Sequence, residues 1–112
     1  MIETGDVVLL KFPFSDGISY KRRPALVLKN FEDGDVLVCR ITSKIYKSKY
    51  DIYLDNWLLF GLKLPSVVRV HKLATLEPDM IETTMGQMDD VTLNKIKSAY
   101  ISIIENSNSM KN

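Results

Sequence analysis

The sequence contains one cysteine and one histidine among its 112 residues. Cys39 has no partner for an internal disulfide, and a single thiol with His71 cannot form a Cys-rich zinc site. This sparing use of cysteine fits a reducing compartment, so we expect a cytoplasmic protein. The first residues, Met1–Asp6, carry two acids and no base, which is unlike a signal peptide.

Long apolar runs and a strong net charge are missing as well. No stretch approaches the ~18 consecutive apolar residues of a membrane-spanning helix. Fifteen Lys and Arg against fourteen Asp and Glu give a net charge of +1. This balance excludes a histone-like protein that binds nucleic acid by bulk charge. The length and the 46% hydrophobic content predict one globular domain over residues 1–112, with an ordered core of about residues 4–105.

The first two thirds of the chain predict short antiparallel strands, because apolar and β-branched runs alternate with turn residues. Residues Ser15–Tyr20 have turn composition and are expected to form an exposed loop. Pro24 is expected at the start of the second strand, where a missing N–H is tolerated. The predicted strands are Val7–Leu10, Ala25–Leu28, Val36–Thr42, Tyr50–Leu54 and Ser66–His71.

The last third of the chain predicts a helix. Pro78 suits a short helical turn at Glu77–Ile81, and Thr83–Met88 is expected to be one more strand. Asp89 or Asp90 can cap a helix of about four turns. The apolar stripe of this helix is Leu93, Ile96, Tyr100 and Ile103. These elements predict a mainly β (α+β) fold, a small antiparallel β-barrel or curled sheet with a C-terminal helix laid against it.

The balanced total hides an uneven distribution of charge. Tyr20–Lys49 contains eight bases and three acids, whereas six acids oppose three bases from Glu77 onward. A basic surface with exposed aromatic rings suits single-stranded nucleic acid, because phosphates meet Lys and Arg while bases stack on the rings. The rings in question are Tyr20, Tyr46, Tyr50 and Tyr53. The alternative interpretation is a solvated strand face with ordinary lysines.

Most constellations of catalytic residues are absent from the sequence. There is no cluster of metal ligands, no glycine-rich phosphate loop and no nucleophile elbow. The remaining candidates are polar residues near strand ends: Arg23, Thr42, Ser43, Arg69 and His71. Positions 69 and 71 point to the same face of a strand, where an arginine and a histidine can receive a phosphodiester.

Three short motifs resemble those of the MazF/PemK toxin family. Gly5–Val8 and Lys21–Leu28, the latter with Arg23 directly before Pro24, resemble the opening of that family. Ile41–Ser43 resembles its strand-end threonine motif, and Ser66–Leu76 resembles its third signature. The motifs stand in the family's order and spacing, and the resemblance runs from about residue 4 to residue 104.

The resemblance implies a homodimeric endoribonuclease with an SH3-like barrel that cuts single-stranded RNA at short sequences without a metal or other cofactor. It also implies a cognate antitoxin whose acidic tail covers the RNA groove. The family's catalytic arginine and threonine map to Arg23 and Thr42, and Arg69 resembles a catalytic arginine of the PemK-like branch. That branch has an acid two residues further on, where this chain has His71, our candidate general base.

A mechanism that needs no outside nucleophile fits these residues, because RNA supplies its own 2′-hydroxyl. Arg23 is expected to clamp the phosphate and is the candidate general acid. Thr42 is expected to donate a hydrogen bond to a phosphate oxygen, and the His71 imidazole can exchange a proton near neutral pH. The product would be a 2′,3′-cyclic phosphate. Further RNA contacts are expected at Tyr20, Lys21, Arg22, Ser43, Lys44 and Ser66.

Two alternatives stay open at this point. One is a non-catalytic SH3-like module that grips a protein target such as a topoisomerase, and the other is an inactive relative that binds RNA without cutting it. The apolar cluster Trp57–Phe60 is expected to be core by default, with a partner groove or a dimer surface as the alternative. The segment Trp57–Leu64 and the C-terminal helix are the candidate surfaces for the dimer that the resemblance implies. Cys39, within an apolar strand, is expected to be core.

Overall fold

Six strands and one long helix make up most of the protein. The computed structural model describes residues 1–13 and 15–109, with side chains as far as Glu105. A 3-10 turn, Pro78–Met80, precedes the last strand. The strands are β1 (Asp6–Pro13), β2 (Tyr20–Asn30), β3 (Val36–Thr42), β4 (Asp51–Tyr53), β5 (Val67–Leu76) and β6 (Ile81–Gln87), and the helix is α1 (Asp90–Ser109). No helix in these described ranges is long and apolar enough to span a membrane.

The strands form one antiparallel sheet in the order β4-β5-β3-β2-β1-β6. One row of paired residues crosses five of the strands, and its members are Val8, Ala25, Arg40, Arg69 and Asp51. Facing residues in neighbouring strands lie close enough for their side chains to interact. The register therefore brings two arginines and an aspartate, far apart in the sequence, to one side of the sheet.

The two edges of the sheet meet through a turn rather than through a strand ladder. Within residues 1–13 and 15–109, no ladder joins β4 to β6, so the closed SH3-like barrel is not confirmed. The turn after β4 packs its backbone on β6 instead. Gly61 has a φ of +87°, and a Cβ at this position would collide with the carbonyl group of Met85. Glycine is needed at position 61 for both reasons, and the close approach fixes the segment that follows it.

Hydrophobic side chains pack on both faces of the sheet, because successive residues of a strand point in opposite directions. On one face, α1 covers the sheet through Ile96, with Leu93, Ala99, Tyr100 and Ile103 packed around it. This confirms the stripe predicted for the helix. Cys39 lies in the same cluster, and burial raises the pKa of its thiol to about 12. The opposite face carries a second cluster of Val8, Leu10, Ala25, Val27, Val36, Val38 and Leu76.

Every predicted strand is present, but three expectations were wrong in detail. Pro24 lies inside β2, which begins at Tyr20; pairing with β3 starts only at Ala25, so a proline is tolerated just before it. The helix has 20 residues instead of about four turns, since propagation of a formed helix needs no apolar stripe. In the apolar segment after β4, Leu58 and Leu59 are exposed rather than core.

Candidate active site

A cavity of about 330 Å³ lies near the beginning of β2 and the end of β3, where the turn after β4 packs against β6. Its walls include the apolar side chains of Leu9, Ile41, Leu62 and Met85. Its polar lining consists of three cations and three hydroxyls, which are Arg22, Arg23, Lys63, Thr42, Ser43 and Ser66. Since the described lining contains no carboxylate, the cavity is suited to an anionic ligand.

The register of β2 with β3 explains why Arg23 and Thr42 share this cavity. Ala25 pairs with Arg40, and the same antiparallel register continued by two residues sets Arg23 opposite Thr42. Arg23 is half-buried, and none of the ion pairs among the described residues involves it. The structure thus brings together the two residues that the sequence predicts as phosphate clamp and hydroxyl donor.

The hydroxyl of Thr42 is oriented by the backbone two residues further along the chain. Its Oγ1 accepts a hydrogen bond from the N–H of Lys44 at 3.2 Å, which leaves the hydroxyl hydrogen available for another acceptor. Ser66 differs, because its Oγ already donates to the carbonyl of Leu64 at 2.8 Å. Of these two hydroxyls in the cavity, Thr42 is therefore the one free to donate to a phosphate oxygen.

Arg22 is held at the rim of the cavity by Glu82 of β6. Its guanidinium makes two hydrogen bonds to that carboxylate, of 2.8 and 3.1 Å. The hydrogen bond from Arg22 is the main reason that the pKa of Glu82 lies below its usual range. Both side chains are well exposed, so the pair is screened by solvent and exchanges readily with other partners.

Arg69 does not belong to the described lining of this cavity. Its side chain is instead paired with Asp51. Its Nε donates to Oδ1 of Asp51 at 2.9 Å, and its guanidinium lies 3.5 Å from the centre of the Tyr46 ring. Burial tends to raise the pKa of Asp51, but hydrogen bonds from Ser48 and Arg69 outweigh it and hold that pKa below its usual range. Arg69 is thus a partner in a buried ion pair.

His71 also lies outside the described lining of the cavity. It is exposed on β5, and its ring packs 5.3 Å from that of Tyr50 at an angle of 50°. Its assignment as general base stays a prediction.

The remaining predicted RNA contacts fall into two groups. Ser43, like Arg22 and Ser66, lines the cavity. Tyr20, Lys21 and Lys44 do not, although Tyr20 and Lys44 each take part in a cation–ring contact. In the first, Lys11 stacks on Tyr20 with a separation of 4.1 Å. All six residues stay predictions as RNA ligands.

Sequence reasoning missed three residues: Lys63, which lines the cavity, and Asp51 and Arg40, which neighbour Arg69 outside its described lining. Lys63 belongs to a mostly apolar segment, so the sequence did not mark it as a ligand-binding residue. It lines the cavity in the turn whose backbone packs on β6 at Gly61. The sequence predicts that Asp51 lies on the solvated face of its strand. Its pairing with Arg69 follows only from the β4–β5 register. One signal in the sequence could have drawn attention to Arg40. The alternation of β3 puts this charged residue on the same side of the strand as Val36 and Val38. Within residues 1–13 and 15–109, no three His, Cys, Asp or Glu side chains form a group suited to a metal ion.

Solved structures of known proteins share this fold. A MazE–MazF structure from Deinococcus radiodurans matches with a TM-score of 0.77 and 22% identity, over 93% of this chain and 96% of that one. A mycobacterial endoribonuclease in complex with its cognate antitoxin matches with a TM-score of 0.71 and 20% identity, over 94% and 96%. At these identities the likeness concerns the fold. No curated protein sequence matches the chain.

A family model gives the more specific result. The model described as PemK-like, MazF-like toxin of type II toxin–antitoxin system matches residues 3–104. The match spans nearly the whole chain and includes both strand ends of the cavity as well as most of α1. This chain therefore belongs to the PemK-like, MazF-like family of type II toxin–antitoxin toxins.

Proposed function

We propose that this protein is an endoribonuclease that cuts single-stranded RNA through attack of the 2′-hydroxyl on the adjacent phosphate. Family membership supports the reaction class, since MazF/PemK toxins are endoribonucleases, and the mycobacterial protein of the same fold is itself named one. The observation that carries the proposal is the shared cavity of Arg23 and Thr42, where a free guanidinium and a free hydroxyl donor face one space.

Each of these groups has a defined task in the reaction. The guanidinium of Arg23 matches the geometry of two phosphate oxygens and neutralises the charge that develops on the phosphorane. The Thr42 hydroxyl donates to a non-bridging oxygen of the same phosphate. Lys63 adds a further positive charge to the lining. Positive side chains thus supply the electrostatic stabilisation, and we propose that no metal ion is required.

The bond changes follow from the RNA itself. The 2′-oxygen forms a bond to phosphorus, and the bond from phosphorus to the 5′-oxygen breaks. That oxygen gains a proton from Arg23, the candidate general acid, which solvent then reprotonates. Because no carboxylate or imidazole belongs to the described lining, we propose that the 2′-hydroxyl proton passes to solvent. The products are a 2′,3′-cyclic phosphate and a free 5′-hydroxyl.

The test is digestion of single-stranded RNA by the purified protein in the presence of a chelator, with mass spectrometry of the product ends. We expect cyclic phosphate and 5′-hydroxyl ends. RNA carrying a single 2′-deoxynucleotide immediately upstream of the cut is the matched control and should stay intact at that position. Products with 5′-phosphate ends, or RNA that survives in a wide range of sequences, would refute the proposal.

We further propose an antitoxin and a second copy of the chain as protein partners. The antitoxin is supported by the neighbours of the same fold, whose structures are described as a MazE–MazF pair and a complex with a cognate antitoxin. The second copy is supported by Leu58 and Leu59, which are 71% and 79% exposed on the turn after β4. Sedimentation of the wild-type protein beside a Leu58→Ser, Leu59→Ser variant should show a dimer that the variant loses.

A further inference from the structure

A second basic cavity adjoins the proposed active site. It has a volume of about 230 Å³, and its lining includes Arg23, Arg40 and Lys72 together with Phe12, Val38 and Leu73. Arg23 lines both cavities, so they meet at its side chain. The described lining of this second cavity contains no acid either.

Arg40 is the unusual residue in this cavity. Its Nε is buried and has no hydrogen-bond partner among the described residues. A buried donor without a partner costs about 1–3 kcal/mol, and more when it is charged. Native structures seldom leave such a donor unpaired, so this atom calls for a partner such as a water or an anion.

The neighbours of Arg40 increase its need for an anion. Arg40 pairs directly with Arg69 in the β3–β5 ladder, and like charges in facing positions repel. The carboxylate of Asp51 is engaged by Arg69, and none of the ion pairs of the described chain includes Arg40 or Lys72. Two cations therefore line a cavity in which their charge is unbalanced.

We propose that Arg40, assisted by Lys72, binds the phosphate of a nucleotide next to the one that is cut. This inference rests on the proposed function. An RNA strand carries one phosphate per nucleotide, so a strand whose scissile phosphate sits at Arg23 brings its next phosphate beside that residue. The second cavity opens at that place and offers a guanidinium that matches phosphate geometry. Arg40 helps to bind the RNA and to fix its position along the protein, whereas Arg23 and Thr42 act in the bond-breaking step.

A methylphosphonate scan tests this assignment directly. The probes are fluorescently labelled single-stranded 2′-deoxy oligonucleotides of one sequence that the protein cuts as RNA, each with one neutral methylphosphonate at a different linkage. Wild-type protein should lose about tenfold in affinity at each of two neighbouring linkages. The affinity of the Arg40→Gln variant should no longer depend on the methylphosphonate at one of these linkages, the one bound by Arg40. It should still fall at the other linkage, the one bound by Arg23. The control variant is Lys29→Gln, which removes an equal charge from β2 at the α1 side and should show both losses.

Two further readouts separate a binding role from a structural one. Arg40→Gln should raise KM for RNA about tenfold with kcat unchanged within about twofold, and should lower the salt slope of log affinity by about 0.7. An Arg40→Gln variant that keeps sensitivity at both linkages would overturn the inference even if RNA is cleaved as proposed. Failure of the proposed function looks different, because RNA would then stay uncut whatever residue occupies position 40.

Discussion

Arg69 donates a hydrogen bond from Nε to Asp51 at 2.9 Å, and this pair determines what Arg69 is free to do. The Asp51 side chain is 1% exposed and that of Arg69 is 13% exposed, so the two charges are largely removed from water. A charge in such surroundings is held by its partner. The residue that resembles a catalytic arginine is therefore held in an ion pair that joins β4 and β5. Its catalytic role stays a prediction.

Removing the carboxylate of this pair should destabilise the protein. Asp51→Asn leaves the Arg69 guanidinium without its partner, and we expect a loss of about 3 kcal/mol in the free energy of unfolding near neutral pH. Urea denaturation measures it. The exposed Asp55→Asn change on the turn after β4 is the matched control and should have little effect. Equal stability of the two variants would show that the ion pair contributes nothing.

The same pair should produce a pH dependence at the acid end. Because the pKa of Asp51 in the folded state lies below its ordinary value of 3.8, the stabilisation is complete above that value and is lost as pH falls through the folded-state pKa. The stability difference between wild type and Asp51→Asn should therefore shrink below that pH. A difference that stays constant in acid would contradict this assignment.

Substitutions at Thr42 test whether its hydroxyl donates a hydrogen bond to the phosphate during cleavage. Thr42→Val keeps the shape of the side chain but removes the hydrogen-bonding group, and cleavage should slow by about 10-fold to 100-fold, the value of a hydrogen bond to a charged group. Thr42→Ser keeps the hydroxyl and should stay within about threefold of wild type under single-turnover conditions. If the serine variant is as slow as the valine variant, the methyl group matters and the hydroxyl does not.

Gly61 tests the contact that joins the turn to β6. Gly61→Ala adds a Cβ that collides with the Met85 carbonyl at a positive φ, so we expect a cost on the order of 3 kcal/mol. Gly34 also has a positive φ, but nothing lies within 4 Å of its added Cβ. Gly34→Ala should therefore cost only about 1 kcal/mol. Similar urea midpoints for the two variants would argue against the close approach.

A substitution at His71 tests whether this side chain or solvent accepts the 2′-hydroxyl proton. A general base contributes about 100-fold or more, whereas His71 packs on Tyr50 outside the described lining of the cavity. We expect His71→Gln to slow cleavage by less than about threefold and to leave the shape of the pH–rate profile unchanged. A loss of about 100-fold together with a changed profile would establish His71 as the base.

The sequence was sufficient for the elements and for most of the polar lining of the cavity. Apolar and β-branched runs between turn residues located the strands, and the Arg23-Pro24 and Thr42-Ser43 motifs named two residues that share the cavity. The sequence could not reveal that Arg69 is engaged, because its partner lies 18 positions earlier and only the β4–β5 register joins them. Likewise, Lys63 reaches the cavity through a backbone contact at Gly61, which leaves no periodic pattern in the sequence.

The most direct test of the central claim is the single-turnover rate of RNA cleavage by Arg23→Ala beside Lys29→Ala, with urea midpoints to show that both variants fold. The account predicts a loss of at least about 100-fold for Arg23→Ala, because the developing phosphorane charge loses its clamp, and a change within about twofold for Lys29→Ala. An Arg23→Ala protein that cleaves RNA within about threefold of wild type would contradict it.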